Sequence, residues 1–507
     1  MKINFGFLKR KVMIMGQFII PMVVMGSSIP AWVSGAQEVD KVERWGIFEV
    51  SLEGPSDGNP FVDVEISAQF SHGDRVVKAD GFYDGDGVYR VRFMPDEMGV
   101  WKYVTKSNKS ELDGKTGEFT CVEPSSGNHG PVKVRNTYNL AYADETPYFQ
   151  IGTTCYAWAH QGDEMEEQTL KTLETAPFNK MRMCVFPKAY AYNENEPVYY
   201  PFEGTPLKDW DFTRFNPEFW QHFEKRVMEL QKLGIEADII LFHTYDRWDF
   251  ENMDAESDDR YIRYAVARLS AYRNVWWSLA NEFDIMPAKK DSDWDRFFWI
   301  IRDHDPYQRM RGIHNCRKWY DHTQEWVIHA SLQTSDMAGG IRYRRQYKKP
   351  VIYDECKYEG NIPQGWGNLT ALEMTMRFWL GGLSGCYVGH GETYKHPEDL
   401  LWWAKGGVLR GQSPERIAWF RDFMTSGPAF EELEPMGDDQ GHYLLAKPGE
   451  YYLAYCASPD FTFELSGDKP YKVDGVDPWN MKIVPLGTAQ PGKYTLSSSD
   501  YVYRFIP

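Results

Sequence analysis

Hydrophobic and polar positions alternate with a period of two across 62–70, 87–93 and 99–104. Such alternation presents one face of a strand to a core and the other to water. Turn-forming runs separate these segments: Ser56-Asp-Gly-Asn-Pro60, Asp84-Gly-Asp-Gly87 and Asp113-Gly114. Residues 41–123 therefore predict an antiparallel β-sandwich. The stretch 124–131, rich in Pro, Ser, Gly and Asn, reads as a linker.

From about 135 the rhythm changes. Apolar runs at 148–157, 180–186, 237–243, 275–281, 310–315, 327–332, 351–355 and 386–389 read as strands. Helical periodicity fills the intervals at 165–175, 217–233, 259–272, 292–303, 339–348 and 369–381, and follows the last strand at 414–425. The fifth connection, 316–326, shows only a short helical turn. Eight strands alternating with helices specify a (β/α)8 TIM barrel over 135–426, whose functional residues gather at the carboxyl ends of the strands. Short β runs at 443–446, 451–455, 494–496 and 501–505 then predict a small C-terminal β-sandwich over 427–507. The predicted fold is multidomain, a central barrel between two β-sandwiches.

The composition is that of a globular chain: 507 residues, 25% charged and 42% hydrophobic. Residues 1–36 read as a cleavable export signal: Lys2, Lys9, Arg10 and Lys11, an apolar stretch over 12–25, then Ser34-Gly35-Ala36. The expected location is secreted or periplasmic, with no membrane span. Removing the four basic residues of that leader takes the net charge from −17 to −21. So acidic a surface repels phosphate backbones and excludes nucleic acid as partner. The basic group Arg342, Arg344, Arg345, Lys348 and Lys349 falls on a predicted amphipathic helix and reads most simply as its solvated face, with an anionic-sugar patch as the alternative. Seven cysteines at scattered spacing suggest neither a disulfide framework nor a zinc site, and the expectation is buried free thiols. No nucleophile elbow, phosphate loop, dinucleotide fingerprint or His-Glu-x-x-His pair occurs, so neither metal nor cofactor is expected.

The candidate chemistry lies in two glutamates at strand ends. Glu282 closes the fourth strand, in Trp-Ser-Leu-Ala-Asn281-Glu282, and Glu355 closes the seventh, in Val-Ile-Tyr-Asp-Glu355. Strict alternation would turn Trp276, Ser278, Ala280 and Glu282 inward, and likewise Val351, Tyr353 and Glu355, leaving Asp354 outward. Two carboxyl groups facing one cavity can cleave a glycosidic bond, one as proton donor and the other as nucleophile. Taken singly, each glutamate is equally well accounted for by a helix cap or an ion pair. Aromatic residues make up 16% of the chain, including 19 Trp and 31 Tyr, and they suit sugar rings as well as β-rich cores.

These strand-end motifs resemble those of the retaining glycoside hydrolases of clan A. The layout resembles family-5-like or apiosidase-like barrels that carry an N-terminal Ig-like domain and a short C-terminal β-domain. The resemblance implies a glycosidase with a poly- or oligosaccharide substrate, Glu282 as general acid/base and Glu355 as nucleophile. Asn281 would bind the sugar 2-hydroxyl, which requires the strand end to depart from alternation. Arg182 would steady Glu355 and keep it ionised, and His243 matches the clan's histidine on the third strand. Strand six ends in His329-Ala-Ser-Leu-Gln333 without the usual tyrosine, leaving Gln333 at that position. Strand eight ends in Gly389-His390-Gly391-Glu392 without the usual tryptophan. His390 and Glu392 then become candidate sugar ligands, Trp158 a candidate stacking platform, and Glu392 also competes as second carboxylate. The loop 187–216, with Tyr190, Tyr192, Tyr199 and Tyr200, is expected to select the sugar. Two other readings use the same residues: a non-catalytic glycan-binding barrel and a transglycosylase. Oligomeric state is open.

Overall fold

The computed structural model describes residues 40–397, 401–457, 460–497 and 500–507. The export signal lies outside these residues. Eight parallel strands form the central barrel: β1 (Ile151–Thr154), β2 (Lys180–Cys184), β3 (Glu236–His243), β4 (Val275–Asn281), β5 (Arg311–Gly312), β6 (Ala330–Gln333), β7 (Val351–Glu355) and β8 (Tyr387–His390). The ladder runs β5-β4-β3-β2-β1-β8-β7-β6, and a parallel bridge between His314 and Ser331 closes the ring. β5 is shorter than its apolar run suggests.

Helices at Asp163–Leu173, Pro217–Lys232, Ala255–Leu269, Asp291–His304, Gly340–Tyr347, Ala371–Leu383 and Ser413–Ser426 cover the barrel. Their starts follow local chemistry. Asn216 accepts a hydrogen bond from Glu218 N at 3.1 Å ahead of Pro217, and Thr370 with Glu373 forms a capping box. The connection from β5 to β6 contains no helix among its described residues. On the Gly340–Tyr347 helix the basic face is only partly solvated. Arg344 stacks on Tyr138 at 3.8 Å, and Lys349, just beyond, donates to Val327 O at 2.6 Å.

Met181, Met183, Ile239, Leu241, Trp277 and Leu279 pack outward against the helices. Trp276, Ile352 and Tyr387 fill the barrel's interior from the other face of their strands. The prediction for β7 is reversed: Val351 and Tyr353 belong to the outer core, and Asp354 points in. The cause is Lys180, a fully buried cation on β2. Its ammonium lies 2.7 Å from Asp354 Oδ1 and 2.6 Å from Asp238 Oδ2, while Ser331 Oγ donates to Asp354 at 2.5 Å. A buried cation without anions would cost several kcal/mol, on the order of 3–5 when a partner is removed, and this outweighs alternation. The β6–β7 register then slips, pairing Leu332 with Tyr353 and Gln333 with Glu355. That bulge lets Glu355 reach the mouth although Asp354 already points inward.

Before the barrel, seven strands form a β-sandwich domain with a core of Phe48, Phe70, Phe93, Trp101 and Phe119. Its strand Val88–Phe93 carries Arg92, whose Nη1 lies 2.6 Å from Glu224 on the barrel helix Pro217–Lys232. After the barrel come a six-stranded sheet and a two-stranded one with their own core, including Leu465, Tyr471 and Phe505. No helix among the described residues is long and apolar enough to cross a membrane. The seven cysteines form no disulfide among the described residues, and six of them are buried.

Candidate active site

Glu282 and Glu355 both stand at the carboxyl-terminal end of the barrel. Glu282 adopts φ 59° and ψ 53°, a left-handed conformation that non-glycine residues rarely occupy. The turn breaks the alternation of β4, and so Asn281 and Glu282 can both meet partners at the mouth. Such strain persists only where surrounding contacts impose it, and it concentrates at functional sites. Here the contacts are explicit. Gln333 Nε2 donates to Glu282 Oε1 at 3.0 Å, the Tyr245 hydroxyl donates a short bond to Oε2, and the Cys316 thiol sits beside the carboxylate. Gln333 is itself fixed: its backbone N donates to Asn315 Oδ1 at 3.1 Å.

Glu355 lies 3.5 Å from Arg182 Nη1 and 3.9 Å from His314 Nε2, with the Tyr358 hydroxyl alongside. Burial pushes its carboxyl up to about 8, against the opposing effect of Tyr358. Arg182 is placed to favour the anion, and burial acts on the carboxyl in the opposite direction. His314 is fully buried, and burial followed by the charge of Arg182 drives its pKa well down, so it stays neutral.

Arg182 ties the two strand ends together. Its Nη2 reaches Asn281 Oδ1 at 3.4 Å, and the Tyr156 hydroxyl donates to the same oxygen at 2.8 Å. Gln333 links them a second way, bonded to Glu282 and paired in register with Glu355. Around this mouth stand Tyr156, Tyr190, Tyr358 and Trp403, with Trp403 5.5 Å from Tyr156 and 6.0 Å from Tyr358. Lys188 lies among them.

Four of the candidate residues stand elsewhere. Trp158 is fully buried beneath the loop, its indole N donating to Glu166 O at 3.0 Å, so it offers no face for stacking. His390 lies outside the strand ring, stacked on Phe178 at 4.8 Å and 3.3 Å from Thr153 Oγ1. Glu392 accepts from the backbone N of Arg410 at 2.6 Å and of Gly411 at 2.8 Å. A Cβ on Gly411 would come within 2.7 Å of that carboxylate, so Glu392 is a loop anchor rather than a second carboxylate of the mouth. His243 ends β3 but gives its Nε2 to Phe186 O at 3.1 Å, and burial then lowers its pKa to about 3.

Residues not singled out from sequence complete the mouth: Tyr156, Lys188, Tyr245, His314, Cys316, Tyr358 and Trp403. Tyr358, just after Glu355, stands beside that carboxyl group, and Trp403, from the segment beyond β8, packs on Tyr358. Of the loop tyrosines, Tyr190 reaches Trp403 and Tyr245, whereas Tyr199 packs on His222 and Tyr200 on Trp210.

A parallel eight-stranded barrel with glutamates ending β4 and β7 is the architecture of the clan A glycoside hydrolases, and the protein is a glycosidase of that class. Residues 134–428 match the family described as "Apiosidase-like, catalytic domain", and the chain belongs to that family. Residues 41–108 match a domain of unknown function, DUF5060. A crystal structure from Bacteroides vulgatus ATCC 8482, assigned provisionally as a glycoside hydrolase, is 38% identical. The match spans 92% of this chain and 99% of that one, with a TM-score of 0.86. A family 5 glycoside hydrolase from the same organism shares the fold at 16% identity, over 75% of this chain and 94% of its own, with a TM-score of 0.58. No curated protein matches the chain.

Proposed function

We propose that this protein is an exported retaining glycosidase that cleaves a poly- or oligosaccharide by double displacement. One observation carries the reading: Arg182 contacts both Glu355 and Asn281, the neighbour of Glu282, so the two carboxylates belong to one mouth. Glu355 attacks the anomeric carbon and forms a glycosyl-enzyme ester. Glu282 protonates the departing oxygen, then takes a proton from the water that releases the sugar. Asn281, its carbonyl oxygen held by Tyr156, offers its amide to the sugar 2-hydroxyl, a contact that strengthens as positive charge grows on the ring. Only the form with Glu355 ionised reacts, so the proton that burial favours there must be absent for attack.

Replacing Glu355 with Ala tests the assignment. Turnover should fall by at least about 10⁴-fold with the fold retained, and proton NMR of the wild-type products should show the anomeric configuration preserved. Undiminished hydrolysis, or an inverted product, rules out double displacement through Glu355. Export is tested by the N-terminus of the mature protein, expected to follow Ala36.

A further inference from the structure

Three lysines are buried among the described residues: Lys180, Lys188 and Lys289. Two have the anions that a buried ammonium requires. Lys180 pairs with Asp238 and Asp354, and Lys289 lies 2.6 Å from Asp258 Oδ2. Lys188 does not. Only 3% of it is exposed, and its ammonium rests on ring faces instead: Tyr156 at 3.5 Å, Tyr245 at 4.3 Å and Trp403 at 5.0 Å from the centroids.

Ring faces offset part of the cost of a desolvated cation, but not all of it. Burial accordingly drives the amine down to about 8. The neighbouring Arg182 repels it, and Glu282 attracts it only from beyond ion-pair distance. The place of the charge is informative as well. Tyr156 holds Asn281, and Tyr245 holds Glu282, so the rings beneath the ammonium are the ones that position the reacting groups. Lys188 thus stands one ring away from the groups that would hold a sugar between Glu282 and Glu355. A sugar with only hydroxyl groups could be bound by amides at no such cost, and would leave the charge uncompensated. A carboxylate supplies the missing anion and gains a charge-assisted bond.

We infer that the mouth is built for an acidic sugar, and that Lys188 is the residue that selects its carboxylate. The inference rests on the proposed glycosidase site and names its substrate class, a uronic acid residue.

Binding to the full-length protein tests it without requiring turnover. Saturation-transfer NMR titrations would compare D-glucuronate, D-galacturonate and D-mannuronate with D-glucose, D-galactose and D-mannose. At least one uronate should bind about tenfold or more tightly than its neutral counterpart. Lys188→Met should erase that difference, read as the ratio of uronate to neutral-sugar affinity, and Lys188→Arg should keep it, which separates a lost charge from a packing defect. The inference is overturned if no uronate exceeds its neutral partner, if Lys188→Met keeps the preference, or if only the 6-sulfates of glucose and galactose bind. Uronate preference without any hydrolysis would instead remove the proposed function and leave the selectivity standing.

Discussion

Arg182 Nη1 lies 3.5 Å from Glu355 Oε1, joining the middle of β2 to the end of β7. Two residues earlier on the same strand, Lys180 takes Asp238 and Asp354 as its partners. Burial alone would raise Asp354, but Lys180 and then Arg182 hold it far below the ordinary carboxylate range. One ammonium does not balance two carboxylates, and Arg182, one layer higher, lies 3.7 Å from Asp238 Oδ2 through its Nε. Its other nitrogens face Asn281 and Glu355.

This arrangement fixes a pH dependence. Glu355 reacts as its anion, and burial sets its carboxyl at about 8. Activity therefore rises as pH climbs through that value and falls on acidification. In Arg182→Gln the anion loses a stabilising charge, so its pKa rises and the acid limb of kcat/KM moves to higher pH. Each unit of displacement costs about tenfold at neutral pH. A pH profile of kcat/KM measures this directly. An acid limb that stays in place would show that Arg182 does not act on Glu355.

Tyr245 carries a second prediction. Its hydroxyl donates to Glu282 and holds the carboxyl group in place. Tyr245→Phe should lower kcat by about tenfold or more, the worth of a hydrogen bond to a charged group. The loss should be larger for alkyl than for activated aryl glycosides, because only poor leaving groups need the proton. Equal losses on both would detach Tyr245 from the acid.

The barrel was legible because its strands are apolar runs at regular intervals, and Glu282, Asn281, Arg182 and Gln333 were legible because they sit on those strands. The mouth's walls were not. Lys188, Tyr245, Tyr358 and Trp403 come from segments after strands, where no periodicity constrains direction. Asp354 misled for a definite reason. Alternation describes an apolar interior, and here a buried Lys180 drew the polar side of β7 inward. Trp158 and His390 occupy strand-end positions but turn into packed layers, Trp158 toward Glu166 in the following helix and His390 toward Phe178, which is remote in sequence.

Away from the mouth, stability depends on the cluster that joins the N-terminal domain to the barrel. Glu224 accepts from Arg92 Nη1 at 2.6 Å and from Arg268 Nε at 2.6 Å, and Arg268 also lies 2.7 Å from Asp84. Burial alone would raise Glu224, but Arg92 and Arg268 outweigh it and hold the carboxyl below its ordinary value. Its contribution to stability is then complete above the unfolded pKa and disappears as pH falls through the lower folded one. Glu224→Gln leaves two guanidinium groups buried with reduced compensation, at a cost of about 3–5 kcal/mol. Calorimetry at pH 7 should show a lower unfolding temperature for the variant. The gap from the wild type should narrow as the pH drops below the ordinary glutamate range, where the native carboxylate is itself protonated. Turnover below the transition should be unaffected, since the cluster touches neither Glu282 nor Glu355. A gap that stays constant down to that pH would mean that Glu224 contributes shape rather than charge.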